Sequence, residues 1–132
     1  MIEVKNLYKT FSHSGGVKVL HGISLKAYPG EVYGFLGHNG AGKTTTMQIL
    51  CGLSPYDSGS ITLSSKAIGF VPENPMFYDT LSLMEYLSLI AHTTAKSASN
   101  QDLEALCEIV GLSKFKRKRI VRFSRGMKQR AA

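Results

Sequence analysis

Residues 37–44 read Gly-His-Asn-Gly-Ala-Gly-Lys-Thr and match the pattern G-x-x-x-x-G-K-[ST] at every fixed position. Glycines let the backbone wrap closely around a triphosphate, so that successive N–H groups point inward at its oxygens. Lys43 can reach the β and γ phosphates as a mobile charge, and the hydroxyl of Thr44 can ligate Mg²⁺. The stretch therefore predicts a phosphate-binding loop of the Walker A type.

The residues on either side of this loop supply the context that the motif needs. Glu31–Leu36 is strand-like, and Thr44–Leu50 has helical character with Gly52 as its C-cap. A loop between a strand and a helix places an anion at the helix N-terminus, where free N–H groups favour negative charge. A flexible glycine turn is the alternative, and this context argues against it.

The composition is that of one ordinary globular domain. Of the 132 residues, 43% are hydrophobic and 19% are charged, which argues against a disordered chain. No apolar run approaches the length of a membrane-spanning helix, and the residues after Met1 form no signal-peptide core. Cys51 and Cys107 form no ligand or redox spacing, so we interpret them as core thiols in a reducing compartment. These features predict a cytosolic protein.

The net charge of +7 is distributed unevenly along the chain. Residues 1–113 carry seven Lys or Arg and nine Asp or Glu, whereas residues 114–132 carry nine Lys or Arg and no acid. Such a basic run is typical of a nucleic-acid or anionic-membrane surface. It is also typical of a solvated face, which we favour because only Phe115 and Phe123 accompany it and no aromatic ladder can stack bases. A third interpretation is that some of these charges face a nucleotide phosphate.

Turn residues divide the rest of the chain into short strands and two helices. The predicted strands are Ile2–Leu7, Tyr8–Phe11, Val19–Lys26, Ser60–Leu63 and Lys66–Val71. The predicted helices are Leu81–Ile90, with Thr80 or Ser82 as N-cap, and Asp102–Val110, with Gly111 as its stop. The order predicts an α/β part that holds the phosphate loop, followed by a helical part.

Several segments together resemble the ATP-binding cassette (ABC) ATPases, across essentially the whole chain. They include Gly34-Phe-Leu-Gly-His-Asn-Gly-Ala-Gly-Lys-Thr-Thr-Thr46 and Ile68-Gly-Phe-Val-Pro-Glu73. Near the end, Phe123-Ser-Arg-Gly-Met-Lys-Gln-Arg130 looks like the family's signature segment, which normally reads Leu-Ser-Gly-Gly-Gln. Further support comes from Ile2-Glu-Val-Lys-Asn-Leu7, Gly22-Ile-Ser-Leu25 and Pro29-Gly30-Glu31. The likeness is closest to the bacterial export branch, where Ser-x-Gly-Met-x-Gln-Arg is common.

The resemblance implies a nucleotide site with ATP as its ligand and Mg²⁺ as its metal. Phe11 falls where the family places an aromatic ring that stacks on adenine, and an ordinary strand-end core aromatic is the alternative. Lys43 and Thr44 take catalytic roles, and Thr44 is also a metal ligand. The residues expected to wrap the phosphates are Gly37, Asn39, Gly40, Ala41, Gly42, Lys43, Thr44 and Thr45.

Two further segments carry expected site residues. Glu73 sits where the family usually has the glutamine of the Q-loop, and as a catalytic carboxylate it would also ligate Mg²⁺; a surface glutamate is the alternative. Ser124 and Gly126 would face the γ-phosphate of ATP held by a partner subunit, and Ser124 would cap a helix. A plain helix cap is compatible with that role. Arg125 replaces a glycine, so its side chain must turn away from the nucleotide or add a positive charge beside it.

The predicted fold class is α/β, a P-loop NTPase of the ABC ATPase type in truncated form. Residues 1–75 would form an antiparallel strand layer plus a partial sheet with the phosphate loop and Q-loop. Residues 76–132 would form a helical subdomain that ends inside the signature helix. The family pattern continues to an apolar strand ending in Asp-Glu and a switch histidine, which this sequence lacks. We therefore expect an N-terminal part of an ABC ATPase, inactive alone because the water-activating segment is missing.

The implied function is that of the ATP-binding subunit of an exporter, in which ATP binding closes a two-subunit sandwich and hydrolysis reopens it. The implied partners are a membrane-spanning transporter subunit and a second nucleotide-binding subunit, at the cytoplasmic face of the membrane. Two alternatives stay open: a nonhydrolytic nucleotide-binding remnant, and a soluble ABC protein that acts on nucleic acid or ribosomes through the basic run. The lack of stacking aromatics argues against nucleic acid as a partner.

Overall fold

The computed structural model describes residues 1–12, 15–65, 68–94 and 98–132. These residues form two compact units, Met1–Phe70 and Val71–Ala132. Each unit has its own hydrophobic core. The division into two functional parts after residue 75 remains a prediction.

The first unit is built on a three-stranded antiparallel sheet. Its strands are β1 (Ile2–Phe11), β2 (Val17–Ala27) and β3 (Ser58–Leu63). They pair in the order β2-β1-β3. The predicted break between Leu7 and Tyr8 is wrong, because β1 runs through it with register shifts on either side of Leu7. Such irregularities bend and twist a strand without ending it.

Helix α1 (Lys43–Leu50) shares a core with this sheet. The buried residues of that core are Val4, Leu7, Leu20, Ile49 and Leu50. The helix starts one residue before the predicted position. Gly52 follows its C-cap Cys51 with a φ of 71°, the left-handed conformation in which glycine commonly ends a helix. The core thus fixes α1, and with it the loop that leads into α1, against β1 and β2.

The predicted strand Glu31–Leu36 is wrong in the described structure. Residues 31–38 have no regular secondary structure, and the side chains of Val32 and Leu36 are exposed (101% and 92%). A strand is held by hydrogen bonds to a neighbouring strand, and the described residues place none beside this segment. The predicted strand Lys66–Val71 also fails over residues 68–71, which are irregular, while Lys66 and Ala67 lie outside the described residues.

The second unit is helical. It contains α2 (Leu83–Thr93), α3 (Asn100–Ile109) and α4 (Arg125–Ala131), with short 3-10 turns between α3 and α4. The buried residues of its core are Leu83, Cys107, Leu112, Phe123 and Ala131. Burial raises the pKa of the Cys107 thiol, which is a core thiol as predicted, whereas Cys51 is only half-buried.

Capping boxes set where α2 and α3 begin. The Ser82 hydroxyl accepts from the Glu85 backbone N–H, and the Glu85 carboxylate accepts from the Ser82 N–H at 2.7 Å. Ser99 and Asp102 repeat the arrangement at α3, with 2.8 Å between the Ser99 nitrogen and the Asp102 carboxylate. The Ser82 N–H is the main cause of a lowered pKa at Glu85, and the Ser99 hydroxyl is the main cause at Asp102. Both bonds stabilise the charged carboxylate.

The stabilisation from these carboxylates should depend on pH. A carboxyl whose pKa is lower in the folded chain stabilises the fold above its unfolded pKa and loses that effect as the pH falls through the folded pKa. We expect the urea midpoint, followed by far-ultraviolet circular dichroism, to fall between about pH 5 and about pH 2. The double variant Glu85→Gln, Asp102→Asn should show a smaller fall. An identical pH dependence in the variant would contradict this role.

Candidate nucleotide-binding site

The phosphate loop leads from the exposed segment 31–36 into α1. The backbone N–H of Ala41 donates to the carbonyl of His38 at 3.2 Å, which closes a turn. Gly40 and Gly42 have φ values of 84° and 83°, a conformation that costs glycine little. This loop turn therefore leads directly into the start of α1.

Lys43 is the first residue of α1, and its side chain returns over the loop. Its Nζ donates to the carbonyl oxygens of Gly37 and His38 at 2.6 and 2.7 Å. These two bonds fix the ammonium at the loop rather than leaving it free in solvent. An anion seated in the loop would meet a full positive charge as well as backbone N–H groups.

The N-terminus of α1 adds partial positive charge at the same place. Gly42 is its N-cap and has no side chain to bond the first N–H groups, and no acidic residue stands in the first turn. These N–H groups are suited to an anion. Thr44 is exposed at the helix start, whereas Thr46 is buried and its hydroxyl donates to the Gly42 carbonyl at 2.9 Å. Thr44 offers a hydroxyl oxygen to a ligand, and Thr46 supports the loop from within the core.

Phe11 lies at the same end of the sheet as the phosphate loop. It is half-buried at the end of β1 and pairs with Val17 of β2. Gly42 packs on the same strand, because a Cβ at that position would lie 3.1 Å from the Val19 carbonyl oxygen and in contact with Leu20. Phe11 and the loop thus meet the first few residues of β2, Phe11 through its backbone pairing with Val17 and Gly42 through Val19 and Leu20.

Ser124 and Gly126 belong to the second unit. Ser124 is the N-cap of α4, and its Oγ accepts from the backbone N–H of Met127 at 3.3 Å. Gly126 is exposed, with no atom within 4 Å of the position that a Cβ would take. The structure therefore supplies the cap expected of Ser124 and leaves open space beside Gly126.

Glu73 pairs with Arg125, a contact that the sequence analysis missed. The Arg125 Nη2 lies 3.3 Å from the Glu73 Oε1, and Gln129, one turn along α4, donates to the carbonyl of Pro72 at 3.2 Å. Two departures from the family pattern, glutamate for glutamine and arginine for glycine, therefore meet. Their opposite charges were the signal available in the sequence. The side chains are 82% and 78% exposed, so the pair contributes roughly 0–1 kcal/mol.

The basic run is partly compensated within the second unit. Lys116 contacts Glu104 at 2.6 Å, and Lys128 contacts Asp79 at 3.0 Å. A surface built for nucleic acid would leave such charges available to phosphates. The pairing favours the interpretation of a solvated face.

The residues of the phosphate loop fit Mg²⁺, the ion that the sequence motif predicts. Mg²⁺ in nucleotide sites is usually held by one or two protein oxygens together with substrate phosphates. The Thr44 hydroxyl meets that requirement without a metal-binding cluster, and the described residues hold no group of three or more His, Cys, Asp or Glu that could bind a metal. Within the same ranges, no helix combines the length and apolar character needed to cross a bilayer.

Comparisons with known proteins point to one family. The chain matches the sequence profile of the family described as ABC transporter over residues 20–132. It is 36% identical to an uncharacterised ABC transporter ATP-binding protein of Synechocystis sp., over 97% of this chain and 40% of that protein. It is 37% identical to the bacitracin transport ATP-binding protein BcrA of Enterococcus faecalis, over 98% of this chain and 44% of that protein.

A solved structure shares the fold. The structure of the ATP-binding subunit of an ABC transporter aligns with a TM-score of 0.80 and 28% identity, over 99% of this chain and 59% of that chain. The fold class predicted from the sequence is thereby confirmed. The chain spans about half the length of the proteins that it matches.

Proposed function

Because the chain belongs to the ABC transporter family, we propose that it binds Mg²⁺-ATP as the nucleotide-binding part of a transporter ATPase. One observation carries this proposal. The Lys43 ammonium is held at the carbonyls of Gly37 and His38, beside the uncapped start of α1. A full positive charge and free N–H groups meet at one loop, which suits the β and γ phosphates of a nucleoside triphosphate.

Different site residues would bind different parts of the nucleotide. The loop backbone from Gly37 to Thr45 would surround the phosphates, and Phe11 would stack on adenine. Mg²⁺ neutralises phosphate charge when it is bound, and its proposed protein ligand in the first unit is the Thr44 hydroxyl. The role of the Glu73 carboxylate as a further ligand stays a prediction from the sequence. Lys43 would stabilise the charge of the phosphoryl group.

ATP hydrolysis is proposed for the whole protein. Phosphoryl transfer to water depends on positioning and charge stabilisation, with little covalent chemistry for the protein to perform. Lys43 and Thr44 would supply those two requirements on the phosphate side. Glu73 is the proposed catalytic carboxylate, and its ion pair with Arg125 ties it to the signature segment of its own unit.

The names of the relatives suggest which process ATP binding and hydrolysis would drive. BcrA is named for bacitracin transport, and we infer export of a substrate through a membrane-spanning partner subunit. Ser124 and Gly126 would meet the γ-phosphate of ATP bound by a second nucleotide-binding subunit. The protein would thereby lie at the cytoplasmic face of the membrane, held there by its membrane-spanning partner.

Phe11→Ala tests whether the loop and the ring act on one nucleotide. Stacking on an aromatic ring stabilises a bound base by about 1–3 kcal/mol. We therefore expect isothermal titration to show ATP affinity reduced about fivefold or more, with the affinity for inorganic tripolyphosphate unchanged, because only ATP has a base to stack.

Tyr28→Ala is the matched control, since it removes an exposed aromatic ring from the same unit. That variant should bind both ligands as the unmodified chain does. Equal losses for ATP and tripolyphosphate in Phe11→Ala would assign Phe11 to the core. Binding of neither ligand to the unmodified chain would contradict the nucleotide site itself.

A further inference from the structure

Lys9 is a buried lysine in the first unit to which the proposed function gives no role. It lies in β1, and only 8% of the residue is exposed. A lysine is seldom buried to this extent unless its charge is paired. The groups that its ammonium contacts therefore indicate what the residue does.

The countercharge for Lys9 is Asp57, which lies just before β3. The Lys9 Nζ is 3.9 Å from the Asp57 Oδ1. Asp57 is itself fixed on both sides of Lys9, because its Oδ2 accepts from the Thr10 N–H at 2.7 Å and its own N–H donates to the Tyr8 carbonyl at 2.9 Å. The carboxylate is thus anchored to the β1 backbone, and it fixes the position of the ammonium.

The other contact of the ammonium is the ring of Phe11. The Lys9 Nζ lies 5.2 Å from the ring centroid, within the range of a cation–π interaction. Lys9 and Phe11 are two residues apart in β1, and the register shift between Lys9 and Thr10 lies between them, so this contact is a feature of the observed strand geometry rather than of regular alternation. Such contacts strengthen when the cation is withdrawn from water, as the Lys9 side chain is at 10% exposure.

We propose that Lys9 is a positioning residue for nucleotide binding: it holds the Phe11 ring in the orientation that stacks on the base. This inference rests on the proposed function and adds a residue to it. Phe11 is only half-buried, so part of the ring remains accessible while the ammonium holds it. A ring already fixed in place loses less side-chain entropy when a base stacks on it, and affinity rises accordingly.

Lys9→Met tests this role, because methionine keeps an apolar stem of similar length and removes the charge. In isothermal titrations of the full chain, we expect affinity for Mg²⁺-ATP to fall about two- to tenfold. Affinity for inorganic tripolyphosphate should stay unchanged, since that ligand does not reach the ring. Lys9→Arg, which keeps a cation over the ring, should restore most of the ATP affinity.

Lys18→Met is the matched control. Lys18 lies 4.7 Å from the ring centroid of Tyr8 on the same pair of strands, so the control removes the cation–π contact of an exposed lysine with a ring other than Phe11. It should leave both affinities unchanged. Asp57→Asn is a second variant that removes the countercharge while its side-chain oxygen still accepts from Thr10, and it should weaken ATP without weakening tripolyphosphate.

The role of Lys9 and the nucleotide site itself are contradicted by different results. Equal losses of ATP and tripolyphosphate in both Lys9→Met and Asp57→Asn would make Lys9 a residue of the fold alone and overturn the inference. Unchanged ATP affinity in folded Lys9→Met would overturn it as well. An unmodified chain that binds neither ligand would overturn the proposed function, and this inference with it.

Discussion

Lys43→Ala is expected to weaken Mg²⁺-ATP binding about ten- to hundredfold. Hydrogen bonds that involve a charged group contribute about 1.5–3 kcal/mol each, and the variant removes the full charge held at the phosphate loop. The loss should extend to tripolyphosphate, because Lys43 acts on phosphates rather than on the base. Isothermal titration of both ligands measures it.

Lys5→Ala is the control for a general loss of positive charge. Lys5 lies in the same unit, and its side chain is 63% exposed beside Glu3. This variant should bind both ligands with unchanged affinity. If Lys43→Ala bound ATP as tightly as Lys5→Ala, the loop at residues 37–44 would not be the nucleotide site.

Features encoded locally were predictable from the sequence. The helix at 83–93 was predicted at 81–90 from its candidate cap Ser82 and its apolar pattern. The helix at 100–109 was predicted at 102–110 from its apolar spacing and the glycine after it, so the bounds of the two helices differ from the prediction by one to three residues. The glycine motif likewise located the turn that leads into α1. In each case the residues that form the element are neighbours in the chain.

The segment 31–36 shows where local patterning fails. Its alternation of apolar residues is typical of a strand, yet a strand also requires a partner for its N–H and C=O groups. The described residues give this segment no such partner, so Val32 and Leu36 stay exposed. The apolar pattern of a segment shows that it can form a strand. Hydrogen bonding to a neighbouring strand decides whether it does.

The contacts around the site residues were also beyond the sequence. Asp57 is 47 positions from Thr10, and only the antiparallel pairing of β1 with β3 brings its carboxylate to Lys9. Glu73 and Arg125 are 52 positions apart and meet through the packing of the second unit. Both pairs consist of opposite charges, but the sequence offers many such combinations and nothing that selects these two.

Gly40 and Gly42, the two glycines of the phosphate loop with positive φ, differ in the space around them, which the sequence motif does not reveal. The motif predicts that both Gly40 and Gly42 allow close approach of phosphate. A Cβ on Gly40 would have no atom within 4 Å. A Cβ on Gly42 would contact the side chain of Leu20, which is fully buried, and would lie 3.1 Å from the carbonyl oxygen of Val19.

Gly42→Ala should therefore destabilise the chain far more than Gly40→Ala. Each variant places alanine at a positive φ, at a cost of about 1–2 kcal/mol. Only Gly42→Ala also overpacks the core beside Leu20, and this overpacking costs about 1–3 kcal/mol more. Urea unfolding of the two variants and the unmodified chain measures the difference.

The comparison of the two variants isolates packing from backbone strain, because Gly40 and Gly42 have nearly the same φ. Equal free energies of unfolding would show that Leu20 and Val19 yield without cost and that φ alone requires glycine at both positions. A larger loss in Gly42→Ala would show that β2 dictates this glycine before any nucleotide arrives. In that case the loop is shaped by the sheet beneath it, and the phosphate site is a consequence of how α1 packs on β2.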